Sequence, residues 1–161
     1  EEANHTRNKD ISQLPLFTPD TTKIPWDGAK NDTILHYLDA LRRLIEMPML
    51  DLSDYSNTDL KLAYGTGNFQ TLSDYDETYQ NFLQTLCALG KAYLEAGDLT
   101  HAAEACRLCL DYDSKNRIAY ITLAKIYKQD NKTYLLSDLI DEIKHSPIAR
   151  KESLLHEIDT L

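Results

Sequence analysis

The stretch Leu89–Asn116, LGKAYLEAGDLTHAAEACRLCLDYDSKN, decides how the rest of the chain is read. Apolar residues recur at helical spacing on both sides of Gly97-Asp98, so it reads as helix, tight turn, helix, loop. The residue types between are those that two closely packed helices need. Gly90 has no side chain, so a partner helix can approach its backbone. Ala102 is small for the same reason on the facing helix, Tyr93 fills the space beside them, and Gly97 suits the left-handed position just past a helix end.

The pattern recurs. When residues 83–116 are laid over 117–150, Leu86 falls on Tyr120, Leu89 on Leu123, Gly90 on Ala124 and Tyr93 on Tyr127. Ala102 falls on Leu136, Cys106 on Ile140 and Cys109 on Ile143. The period is 34 residues, and the first copy, with Leu89-Gly90, Tyr93, Gly97-Asp98, Ala102 and a closing LDYDSKN, resembles a tetratricopeptide repeat in detail. The second copy departs from that pattern: Ala124 replaces the glycine, Leu136 the alanine, Asp130-Asn131 the Gly-Asp turn, and Pro147 comes one position early. Residues 49–82 do not match at the key positions. The resemblance covers about residues 80–150 and implies an all-α fold, a right-handed solenoid of antiparallel helix pairs, with residues 146–161 as a capping helix.

Outward from the repeats, residues 1–29 read as a proline-containing arm and 30–161 as a single helical domain, with diverged helices over 30–82. EEANHTRNKD is polar and reads as mobile. ISQLPLFTPDTTKIPWDG is too proline-rich for a helix, yet it carries Leu14, Leu16, Phe17, Ile24 and the only Trp, Trp26. Such a segment is expected to lie extended on the helical body, either across a groove or as packing over the first helix. NDTILHYLDALRRLIEM reads as a helix capped by Asn31 or Asp32, with Ile34, Leu35, Leu38, Leu41, Leu44 and Ile45 on one stripe. A short helix is expected around Thr58–Tyr64, then the longest from Ser73, as N-cap, to Ala96. Helices over about 100–112, 116–129 and 133–145 follow, and Ser146-Pro147 reads as the N-cap and first residue of the last.

Composition narrows the function classes. With 42% hydrophobic and 27% charged residues the chain can bury an ordinary globular core. A net charge of −9 argues against binding nucleic acid or anionic lipid. No apolar run reaches the length of a membrane span, and no signal peptide is visible. The absence of a starting methionine reads as a fragment of something longer. Three cysteines in apolar helical patterns point to a reducing compartment, the cytoplasm or the cytoplasmic face of a membrane if an upstream anchor was removed.

Positive signs of chemistry are weak. Cys106 and Cys109 form a C-x-x-C, but a zinc site needs about four ligands, and no second C-x-x-C or H-x-x-x-H exists. Both fall where the repeat wants small apolar residues, so they read as reduced core cysteines. Asp32, His36 and Asp39 share a helical face, which reads as a solvated one. Gly65-Thr66-Gly67 lacks the strand and third glycine of a phosphate-binding turn. No catalytic arrangement and no cofactor is indicated, so the chain reads as a non-enzyme.

The resemblance implies a protein–protein interaction scaffold that binds a peptide or protein in a concave groove. The family's groove positions fall on Gln84, Cys87, Lys91, Leu94 and Glu95 in the first copy and on Ile118, Ile121, Lys125 and Lys128 in the second. Some family members grip a peptide carboxylate with Lys, Arg and Asn. Here Cys87, Ile118 and Thr122 stand at part of that set, so the clamp is not reproduced. Lys91, Lys125 and Lys128 form either a basic patch or three solvated lysines. A structural or oligomerisation module, forming a homo-oligomer, is the alternative reading.

Overall fold

The computed structural model describes residues 14, 16–53 and 55–161. The expectations for EEANHTRNKD and for Pro15 lie outside the described residues. Seven α-helices carry the described fold: α1 (Asp32–Leu44), α2 (Asn57–Tyr64), α3 (Phe69–Glu95), α4 (Leu99–Tyr112), α5 (Arg117–Gln129), α6 (Thr133–His145) and α7 (Lys151–Asp159). Among the described residues no strand forms beyond a single antiparallel bridge between Phe17 and Met49, and no helix is long and apolar enough to cross a membrane. Two compact units are distinguished: the described residues of 1–19 with Arg42–Phe82, and Asp20–Leu41 with Leu83–Leu161.

In the first unit, Leu52 and Leu72 are buried, and Leu14, Leu50, Tyr64 and Phe69 pack against them. Phe17 stacks edge-on to Tyr79 at 4.7 Å and donates its N–H to the Met49 carbonyl at 2.8 Å. Helix α2 starts with a reciprocal cap: the Asp59 N–H donates to Ser56 Oγ, and the Ser56 N–H donates to Asp59 Oδ2. The long helix begins at Phe69, not at Ser73, which lies inside it. Gly65, at φ +89°, and a 3-10 turn over Thr66–Asn68 lead the chain directly into the helix, so no side-chain cap is needed at Ser73.

In the second unit, α1 is capped by Asn31, whose Oδ1 accepts the Ile34 N–H at 2.8 Å, and it buries Ile34, Leu38 and Leu41. Asp32, His36 and Asp39 are exposed on its other side. The geometry that follows repeats itself at 34 residues. Gly97 (φ +80°) and Asn131 (φ +55°) occupy the left-handed region. The Gly97 and Asp98 N–H groups donate to the carbonyls of Leu94 and Tyr93; the Asn131 and Lys132 N–H groups donate to those of Lys128 and Tyr127. Both are the same helix-ending hydrogen-bond pair, and asparagine stands in for glycine because its short polar side chain tolerates that conformation. The ends of α3 and α5, the starts of α4 and α6 and the starts of α5 and α7 show the same spacing.

Close approach occurs where the small residues sit. A Cβ built on Gly90 would lie 2.6 Å from Cys106 Sγ, 3.4 Å from the Ala102 carbonyl oxygen and 3.6 Å from Ala105 Cβ. Asp98 caps α4 and Asn116 caps α5 through their side chains. The last helix starts at Lys151, five residues beyond Ser146. The Ser146 hydroxyl donates back to the Ile143 carbonyl at 2.9 Å and accepts the Ile148 N–H, so it closes α6. Arg150 then takes a left-handed conformation (φ +57°) before α7 begins.

Candidate interaction surface

The nine residues marked by the repeat resemblance lie on α3 and α5. Gln84, Lys91, Glu95 and Lys125 are exposed, Leu94 and Ile121 are half-buried, and Ile118 stands out at 56% exposure. A lone exposed apolar side chain is ordinary on a protein surface, so Ile118 does not by itself distinguish this face. A cleft of about 200 Å³ beside it is lined by Thr33 and Tyr37 of α1 and by Ala88, Lys91, Ala92 and Glu95 of α3. Thr33 and Tyr37 carry no motif signal, since their place beside α3 depends on how α1 packs.

Two of the nine are turned to other work. Lys128 donates through Nζ to the Ile158 carbonyl at 2.6 Å and to that of Leu161 at 3.3 Å, so its charge sits at the C-terminal end of α7. Cys87 is 6% exposed; its Sγ lies 3.1 Å from Cys109 Sγ. Of the three lysines, Lys91 and Lys125 remain exposed. Thr122 is buried and donates its hydroxyl to the Ile118 carbonyl at 2.8 Å, which leaves nothing at that position to grip a carboxylate.

Neighbouring elements are tied by polar contacts that spacing alone does not reveal. Arg107 of α4 makes a two-pronged ion pair with Glu142 of α6, at 3.0 and 2.5 Å. Arg117 of α5 reaches Ser153 and Glu157 of α7 at 3.0 and 3.4 Å.

The arm segment Asp20–Ala29 docks on α4 and on the α3–α4 turn. The Tyr93 hydroxyl, fully buried, donates to the Pro25 carbonyl at 2.6 Å. The Ala29 N–H donates to Asp98 Oδ2 at 2.8 Å, and the Asp20 N–H donates to the Tyr112 hydroxyl at 2.9 Å. Ile24 and Pro25 are buried and Trp26 is half-buried, with its indole N–H on the Thr21 carbonyl. Of the two placements expected for this segment, these contacts are those of structural packing. It lies over the α3–α4 pair, because Tyr93 of α3, Asp98 of the turn and Tyr112 of α4 hold Pro25, Ala29 and Asp20.

His101 joins the arm to the turn. Its ring nitrogens lie 2.9 Å from Asp98 Oδ1 and 3.3 Å from Asp27 Oδ1. The hydrogen bond to Asp98 raises the imidazole pKa; partial burial opposes this, and the charges of Asp98 and Glu104, with the Asp27 contact, add to it. Burial pushes the Asp98 carboxyl up, but hydrogen bonds from the Ala29 N–H and from His101 outweigh it and hold it below its ordinary value. A raised His pKa stabilises the fold fully below the unfolded value of about 6.5, and that stabilisation is lost as pH rises through the folded value. A depressed Asp pKa contributes above the unfolded value and is lost as pH falls through the folded one. The melting temperature is therefore expected to fall on both sides of mildly acidic pH. His101→Gln should remove the decline toward alkaline pH and keep the acid one, because Asp98 still accepts from Ala29. A pH series of thermal melts on both proteins checks this, and an unchanged alkaline limb in the variant would refute the assignment.

Among the described residues no group of three or more His, Cys, Asp or Glu side chains is placed to hold a metal ion. No protein-family model, no curated protein and no solved structure matches the chain.

Proposed function

We propose that α3–α4 and α5–α6 are tetratricopeptide-like helix pairs and that the chain is a non-catalytic scaffold, binding a protein or peptide on the face carried by α3 and α5. The observation that carries this reading is the 34-residue recurrence of the helix boundaries together with the left-handed turn at Gly97 and Asn131. In this reading each pair is antiparallel across its short turn, and the pairs stack as a right-handed solenoid. The C-terminal part of α3, α5 and α7 form the inner layer, and α4 and α6 form the outer one. The Arg107–Glu142 pair between α4 and α6, and the Arg117 and Lys128 contacts from α5 to α7, are the same-layer neighbours that stacking requires. The arm's hydrogen bonds run to Tyr93 of α3, to Asp98 of the turn and to Tyr112 of α4, and none of them uses the exposed positions Gln84, Lys91, Glu95, Ile118 and Lys125.

The test is a pull-down with the immobilised chain from native lysate, beside two variants, Ile118→Asp and the double Lys91→Glu/Lys125→Glu. Lys128 is left alone, because its reversal would disturb α7. A partner held by the wild-type chain should bind either folded variant at least about tenfold more weakly, the scale of one interface hot spot. A partner held equally by all three proteins would place the binding surface elsewhere. The exposed Ile118 also fits the second reading, self-association, in which case light scattering would show a concentration-dependent mass that Ile118→Asp abolishes.

A further inference from the structure

The cysteine pair that matters spatially is not the C-x-x-C of the sequence. Cys87 of α3 and Cys109 of α4 have their sulfurs 3.1 Å apart, and Asn116 holds both: its Nδ2 donates to Cys109 Sγ at 3.4 Å, and Cys87 donates to its Oδ1 at 3.6 Å. Cys109 Sγ also lies 3.6 Å from the Leu83 carbonyl oxygen. The third thiol, Cys106, is fully buried against the Gly90 backbone. We propose that Cys87 and Cys109 are a two-electron redox site, oxidised by peroxide to a disulfide that staples α3 to α4. The two sulfurs need to close by only about 1 Å to reach disulfide length.

The two thiols have different parts. Both are buried, but Cys87 is the less deeply so, at 6% exposure, and Cys109 has none. The hydrogen bond from the Cys109 thiol lowers the Cys87 pKa, with burial and Asp113 opposing, and Asn116 and Lys91 assisting. The same hydrogen bond and burial push Cys109 up, and burial takes Cys106 to about 12. Cys87 therefore carries the thiolate that reacts first.

In the first step the Cys87 thiolate attacks one peroxide oxygen, the O–O bond breaks, and the leaving hydroxide takes a proton to become water. Cys87 is then a sulfenic acid. In the second step Cys109 attacks Cys87 Sγ, the S–O bond breaks, and the Cys109 proton leaves with the hydroxyl as a second water. The two sulfurs supply the two electrons that reduce one peroxide to two waters. A dithiol such as dithiothreitol reverses the change by thiol–disulfide exchange. The site is independent of the groove reading, since it needs only the packing of α3 on α4.

The folded chain is treated with hydrogen peroxide, the peroxide is removed, and the chain is then denatured, alkylated and digested without reductant. The expected result is a loss of two hydrogens from the intact mass, a fall from three reactive thiols to one, and a single cross-linked peptide joining Cys87 to Cys109. The melting temperature should rise on oxidation and return with dithiothreitol. Cys106→Ala should keep the cross-link, whereas Cys87→Ala and Cys109→Ala should abolish it. A Cys106–Cys109 link, over-oxidation of Cys87 without a link, or a Cys87 that peroxide oxidises only after the chain is denatured would each overturn the proposal. The mapping uses the wild-type chain, so it decides even if a variant fails to fold.

Discussion

Gly90→Leu should lower the stability of the chain by about 1–3 kcal/mol or more through overpacking, and Ala102→Leu by a similar amount. The approach of α4 leaves no room for even one carbon at Gly90: a Cβ would meet Cys106 Sγ at 2.6 Å, with the Ala102 carbonyl oxygen next at 3.4 Å. Ala102 and Cys106 are fully buried, so neither can swing into solvent to relieve the contact. At about 2–4 °C per kcal/mol for a chain of this size, the loss is readily seen in a thermal melt. A double-mutant cycle identifies the cause. Gly90→Ala should be destabilising alone and much less so beside Cys106→Ala, because the second change removes the sulfur that the new methyl meets. Strict additivity, or a Gly90→Leu protein that melts like wild type, would mean that α3 and α4 do not meet at Gly90. The repeat reading would then lose its physical basis.

Gly28→Val should release the arm segment from α4. The position has no free side: a Cβ there would come within 2.5 Å of Tyr93 Cε1 and within 2.8 Å of both Asp98 Oδ2 and His101 Cγ. None of the three can yield freely. Tyr93 is fully buried with its hydroxyl on Pro25, Asp98 Oδ2 accepts the Ala29 N–H, and His101 is held by Asp98 and Asp27. The steric cost of about 1–3 kcal/mol adds to the lost hydrogen bonds, at about 1 kcal/mol each. The helices keep their own caps, so the helical circular dichroism should persist while Trp26, the only tryptophan, shifts its emission to the red. Unchanged Trp26 emission would show that Gly28 is not at the docking point. If the arm leaves and a peptide-binding activity appears, the segment restrains the scaffold as well as covering α4.

Much of the helical body was legible because the signals are local. Helix α6 runs over Thr133–His145 as its periodicity predicts, and α4 and α5 start at or within a residue of their expected starts. The turn at Gly97 followed from glycine's freedom in the left-handed region. Asn131 did the same work without a glycine to announce it, and only the 34-residue alignment hinted at that. The starts of α3 and α7 were misplaced for different reasons. Gly65 and the 3-10 turn carry the chain into α3 before Ser73 is reached, whereas a serine hydroxyl such as that of Ser146 caps whatever backbone group it meets. At Ser146 that was the end of α6.

The surface residues were legible only as positions. Gln84, Lys91, Ile118 and Lys125 were picked out by the repeat resemblance, and they stand exposed on α3 and α5. That Lys128 is spent on the end of α7, and that Cys87 pairs with Cys109 and not with a sequence neighbour, depends on which helix packs beside which. The arm is the same case: prolines and large apolar residues predicted that Leu14–Trp26 would lie extended on the helical body, and the part over Asp20–Ala29 does pack there but turns through a 3-10 helix at Thr21–Lys23. Its landing on the α3–α4 pair was decided by the buried Tyr93 hydroxyl and the Asp98 carboxylate, whose demand for partners exists only after the two helices have met. The sequence by itself determined where the chain coils and which faces are apolar, because these depend on a few consecutive residues. Tertiary structure alone decided which polar groups are brought together, because that depends on distances across the fold.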